Sequence, residues 1–182
     1  MGPLLAFSRA TDAVAQFFGK AAEWMVAFAC LISVGNAVSR YGLNLSSNAW
    51  LEVQWYLFAG TVMFGAAHTL RRNGHVRVDL VYGNIGDRAR LWVDIFGIVV
   101  FLLPGMTLLA WMTWPFFVES YFRDEISSNA GGLLRWPVKL VLPVGFALVA
   151  FQGLSELVKR IVLLRGQASE VTAVATYERP TQ

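Results

Sequence analysis

Four apolar stretches constrain this chain more than any other feature. They cover about residues 22–40, 51–70, 92–118 and 137–164, and a helix needs roughly 20 apolar residues to cross the roughly 30 Å hydrocarbon layer of a bilayer. Unpaired backbone groups are not tolerated in hydrocarbon, so segments of this kind cross as helices. The first apolar core, Trp24 to Val38, is the shortest and gains length if Lys20 and Glu23 reach back to the headgroups. The expected fold is an all-α integral membrane protein with four transmembrane helices. One membrane domain, residues 1–166, is followed by a polar, flexible tail, residues 167–182.

Composition supports this class: 56% of residues are hydrophobic and only 15% charged. The 15 Lys and Arg exceed the 12 Asp and Glu by too little, and are too scattered, to suggest a nucleic-acid partner. Cys30 is the single cysteine, which rules out an internal disulfide or a CxxC knuckle. A cleaved leader is disfavoured because the first apolar run begins only near Trp24 with no convincing cleavage site after it. Ala6 stands where N-myristoylation wants Ser or Thr.

Basic residues set the expected orientation. With the N-terminus inside, the cytoplasmic segments hold Arg9, Lys20, Arg71, Arg72, Arg77, Arg88, Arg90, Lys159, Arg160, Arg165 and Arg179, whereas the outer side holds Arg40, Arg123, Arg135 and Lys139. That asymmetry predicts both termini in the cytoplasm. Trp24, Trp50, Trp55, Trp92, Trp111, Trp114 and Trp136 are read as interfacial residues near the ends of the spans.

Two further elements are expected at the inner surface. Leu4 to Phe18 carries apolar residues at helical spacing against Ser8, Arg9, Thr11, Asp12 and Gln16, consistent with an amphipathic interfacial helix, a frayed terminus being the alternative. A short amphipathic helix ending near Trp92 is expected between the second and third spans. Residues 127–132 form a turn-rich outer loop, and Pro137 suits the first turn of the fourth helix.

Candidate chemistry is sparse. His68 and His75 are sequence neighbours, and two such histidines do not hold haem between facing helices. His75 with Asp79 falls short of a metal ligand set. Glu52, Gln54 and Asp94 lie near the ends of spans, where a solvated or paired residue is the simpler reading than an intramembrane functional group. Pro104 with Gly105, and Pro143 with Gly145, read as kinks rather than a broken-helix substrate site. Gly60, Gly65, Ala66 and Ala67 form a small-residue packing face, and Glu156 with Lys159 and Arg160 reads as ordinary intrahelical pairing at the inner surface. No catalytic, cofactor or metal site is expected.

The run Asn48-Ala49-Trp50-Leu51-Glu52-Val53-Gln54-Trp55-Tyr56, then Gly65-Ala66-Ala67, then His75-Val76-Arg77-Val78-Asp79 resembles the small membrane subunit of tripartite ATP-independent periplasmic (TRAP) transporters, the DctQ-like family. The resemblance covers roughly Trp24 to Ile161, with Val53 standing where the family often has a second acidic residue. It implies a non-catalytic permease subunit in the bacterial inner membrane. In such systems a large membrane subunit carries the substrate and sodium sites and moves as an elevator, fed by a periplasmic substrate-binding protein, while the small subunit extends the fixed scaffold. Trp50, Glu52, Gln54, Trp55, Gly60, Gly65, His75 and Asp79 would then be structural or subunit-contact residues. Arg123, Asp124 and Glu125 on the outer loop are candidate contacts for the binding protein. The alternative is a membrane anchor for an electron-transfer or other enzyme complex, which a haem absorbance band would reveal.

Overall fold

The computed structural model describes residues 2–45, 47–74, 85–129 and 131–166. His75, Asp79, the helix expected between spans two and three as far as residue 84, and the tail from residue 167 lie outside the described residues. Four helices make up the described chain: α1 (Gly2–Gly42), α2 (Asn48–Arg71), α3 (Asp87–Phe122) and α4 (Trp136–Leu164). The only β pairing among the described residues is an isolated bridge between Ile126 and Leu134 in the outer loop.

α1, α3 and α4 are each long and apolar enough to cross a membrane. α2, at 24 residues, is long enough but less apolar, interrupted by Glu52, Gln54 and His68. α4 packs against all three other helices, and α2 sits against both α1 and α4. Most large apolar side chains point outward and most buried residues are small or polar. That is the reverse of a soluble core and suits a bundle whose solvent is lipid.

Local chemistry explains the helix limits. Ser47, in extended conformation, caps α2 by accepting the Ala49 N–H at 3.3 Å. Pro137 occupies the first turn of α4, where a missing N–H costs nothing. α3 ends with Asp124 in the left-handed region at φ 46°, and the Glu125 N–H bonds back to the Ser120 carbonyl at 3.1 Å.

Two sequence expectations change in detail. The amphipathic segment Leu4 to Phe18 is not separated from the first crossing; it is the first half of one unbroken 41-residue helix. Likewise no helix ends near Trp92, because Asp87 to Gly97 runs directly into the third crossing. Nothing in either stretch breaks a helix, so the change from amphipathic to apolar pattern marks a change of surroundings rather than a chain break. α3 contains a π-turn, Ile98–Leu102, immediately before Leu103 and Pro104. Widening the helix by one residue per turn there frees backbone carbonyls that a proline could not pair anyway.

Small residues bring α1, α2 and α4 together. A Cβ on Gly60 would come within 2.6 Å of the Met25 sulfur, and one on Gly65 would touch Ala22. Ala67 is fully buried. A Cβ on Gly145 would stand 2.6 Å from Met63 Cβ and 3.2 Å from its carbonyl oxygen, so only glycine permits α2 and α4 to approach this closely.

Candidate functional site

The chemistry-bearing side chains gather at the two ends of the bundle. At the outer end, Glu52, just past the first turn of α2, is 3% exposed. Its carboxylate accepts from Ser127 Oγ, from Asn129 Nδ2 at 2.7 Å and from the Leu133 N–H at 2.8 Å. The Tyr56 hydroxyl, one turn along α2, donates to the Leu134 carbonyl at 3.0 Å. Of the two readings offered for Glu52, a solvated or a paired end residue, the structure shows the paired one: a buried carboxylate needs hydrogen-bond donors, and the loop folds over it to supply them. The turn closes through Gly132 N–H to Asn129 carbonyl at 2.9 Å, with Gly131 at φ 71°.

The second outer anchor is Glu125. It pairs with the Lys139 ammonium and, at 3.4 Å, with Arg135. These cations, Lys139 first, hold its carboxyl down at about 2, well below the usual carboxylate range. The Lys139 ammonium also sits 3.9 Å from the centre of the Phe116 ring. Of the three proposed binding-protein contacts, Glu125 is thus committed to its own chain. Arg123 is exposed and paired with Glu119 at 2.9 Å, and Asp124 is exposed.

At the other end, the last four turns of α4 carry a buried ionic network. Lys159 Nζ lies 2.7 Å from Asp12 Oδ2 of α1 and 2.9 Å from Glu156 Oε1. Arg160 spans 2.5 Å to Glu156 Oε2 and 2.9 Å to Asp94 Oδ2 of α3. Gln152, fully buried, donates to Asp12 at 2.9 Å and to Glu156 at 3.2 Å. Ser155 Oγ contacts Asp12 at 3.0 Å and Ser8 Oγ at 2.7 Å. The expected surface pairing of Glu156 with Lys159 and Arg160 does form, but it is buried and ties three helices together. Buried charges are tolerated only when paired and fully hydrogen-bonded, and here each ion meets opposite charge.

In the N-terminal segment Ser8 and Asp12 turn inward to α4, while Leu4, Phe7, Val14 and Phe17 point outward. Ser8 and Asp12, one turn apart, both reach Ser155 of α4.

The remaining candidates are dispersed. Trp50 is partly exposed, its ring near Gly35, and Trp55 is exposed on α2. Gln54 is half-buried. Gly60 and Gly65 face α1, and His68 packs so closely on Gly19 that a Cβ there would come within 2.4 Å of its ring. Trp111 lies on α3, eleven residues before its end, and is exposed. Sequence reasoning missed the inner network, although its signal was present. Gln152, Ser155, Glu156 and Lys159 follow i, i+3, i+4, i+7 spacing in an apolar helix, which is one polar face that something must cover.

No solved structure matches the chain. The chain is 28% identical over 163 residues to the C4-dicarboxylate TRAP transporter small permease protein DctQ of Vibrio cholerae, covering 76% of this chain and 70% of that one. It is 25% identical over 164 residues to the protein of the same name from Pseudomonas aeruginosa, covering 82% and 74%. The family description "Tripartite ATP-independent periplasmic transporters, DctQ component" matches residues 29–163, most of the chain. A four-helix bundle with both ends knitted by buried polar contacts thus belongs to the DctQ component family of TRAP transporters, as a transporter component and not an enzyme.

Proposed function

We propose that this chain is the small permease subunit that enlarges the fixed scaffold of a sodium-driven organic-acid importer. It crosses the inner membrane four times with both termini in the cytoplasm, beside a large membrane subunit and below a periplasmic binding protein. The observation that carries the reading is the family match over residues 29–163. The structure supports a rigid rather than a transporting role. The buried ion pairs of Lys159 and Arg160 close on Asp12, Glu156 and Asp94 within the chain, at one end of the bundle. Large exposed apolar side chains along α1, α2 and α3 offer surface to lipid and to another subunit.

We place α2 across the membrane as well, since its outer end is tied to the loop joining α3 and α4 and it runs between α1 and α4. The outer loop, fixed on Glu52 and Tyr56, presents Arg123 and Asp124 as contacts for the binding protein. The two relatives named above carry C4-dicarboxylates in their names, so these are the first substrates to test.

The test is to tag this chain, solubilise the membrane gently and identify what remains bound, then measure sodium-dependent uptake with and without the chain. A large multi-span permease in the purified material, and loss of uptake on deletion, are expected. Recovery of the chain alone or with a soluble redox subunit overturns the reading.

A further inference from the structure

The two halves of α3 cover different faces of the helix. In the outer half the covered side chains run through Leu103, Met106, Ala110, Thr113, Phe117 and Ser120. Steps of three and four residues place these on one stripe, and α3 packs on α4 along it. Continued inward at the same spacing, the stripe would fall on Val99, Phe96 and Trp92, yet these are 45%, 59% and 59% exposed. The covered residues there are Ile98, Ile95, Asp94 and Leu91. Between Leu103 and Ile98 the stripe has slipped by one residue.

The slip coincides with the π-turn, in which the Leu103 N–H bonds back five residues to the Ile98 carbonyl. Such a turn takes in one residue more than an α-turn, so it shifts every side chain beyond it by one position. At about 100° per residue, an uninterrupted α3 would hold Asp94 roughly 130° away from the stripe. Trp92 and Phe96 would face α4 instead, and Arg160 would be left with Glu156. With the turn in place, Asp94 Oδ2 lies 2.9 Å from Arg160 Nε, whose side chain is buried. The wide turn seats on Gly153 of α4, where any Cβ would run into Leu102. Pro104 weakens the helix at this point, but a proline kink alone does not exchange one helical face for the next. We infer that the π-turn is a register step. Its one extra residue is held by the fit of the two faces rather than by Pro104, and it brings Asp94 to Arg160, latching the inner half of α3 to α4.

The test reads the coupling between Asp94→Asn and Arg160→Gln by thermal unfolding of the purified full-length chain. Coupling is the difference between the double variant's shift and the sum of the single shifts. A coupling of about 3 °C is expected in the wild type, in Pro104→Ala, and in Pro104→Ala with Val100 deleted, because that deletion removes the extra residue and leaves both faces in place. It is expected to vanish when one alanine is inserted after Val100, which turns Asp94 away from α4. Loss of coupling in Pro104→Ala would show that the proline holds the turn and overturns the inference. Its loss on deletion of Val100, or its survival of the insertion, does the same. A second reading needs no charged variant. Pro104→Ala with Val100 deleted is expected to melt within about 3 °C of Pro104→Ala alone, whereas deleting Phe151 lowers melting by more than about 10 °C. Phe151 is likewise exposed, but on α4, which is α-helical throughout. Equal losses from the two deletions also overturn the inference.

Discussion

Single residues here act mainly by satisfying one another. Lys159 has two carboxylates within 3 Å, and removing one of them, as in Asp12→Ala, leaves a cation with too few partners in a place water does not reach. The expected cost is about 3–5 kcal/mol. Thermal aggregation of the detergent-solubilised protein should therefore move to markedly lower temperature. The double change Asp12→Leu with Lys159→Met removes both charges and should recover much of the loss, a non-additivity that double-mutant analysis reads directly. Glu125 makes the corresponding prediction for pH. Its carboxyl is held down at about 2 against an ordinary value of 4.5, so its contribution to the outer loop is complete above about 4.5 and disappears as pH falls through about 2. Loop accessibility to proteases should be unchanged by this group between pH 5 and 7, and Glu125→Gln should open the loop already at pH 7.

At the scale of elements, the helices are set apart by what fills their seams. Gly60 and Gly145 look equivalent in sequence, yet the first meets the flexible end of Met25 and the second meets the Cβ and backbone of Met63. Gly60→Ala should be absorbed by a rotation of the methionine. Gly145→Ala must push α2 from α4, with an expected cost of about 1–3 kcal/mol. A difference in melting temperature between the two variants, the second lower, checks this; equal values would contradict the geometry. α1 has a different dependence. Its first half is held through Ser8 and Asp12, so the outward row of Leu4, Phe7, Val14 and Phe17 is displayed because the polar side is bound.

The whole molecule reads as a bundle fastened at both ends, with lipid-facing apolar surface between. The asymmetry of basic residues predicts its orientation: phosphatase fusions after residue 129 should be active, and fusions after residue 73 or 166 inactive. Activity after residue 73 would mean that α2 does not cross. The binding-protein contact belongs to this scale too. Charge reversal at both Arg123 and Asp124 should weaken uptake at limiting binding protein, whereas unchanged uptake removes the outer loop from that role.

Much of this was legible from the chain alone because membrane crossing is a local property. Twenty apolar residues and a proline at Pro137 each carry their meaning without a partner. The family resemblance was legible for a similar reason, since its motifs lie in short runs near Trp50 and His75. Which way a polar residue turns is different, because it depends on what arrives from elsewhere in the chain. Asp12 has the same sequence surroundings whether it faces water or Lys159, and Glu52 looks like an end residue until a loop some 75 positions away folds over it. Apolar length and charge asymmetry, being local sums, were determined by the sequence; the pairing of buried charges across α1, α3 and α4 was decided only by the tertiary structure, since in a low-dielectric interior an ion's place is set by its partner.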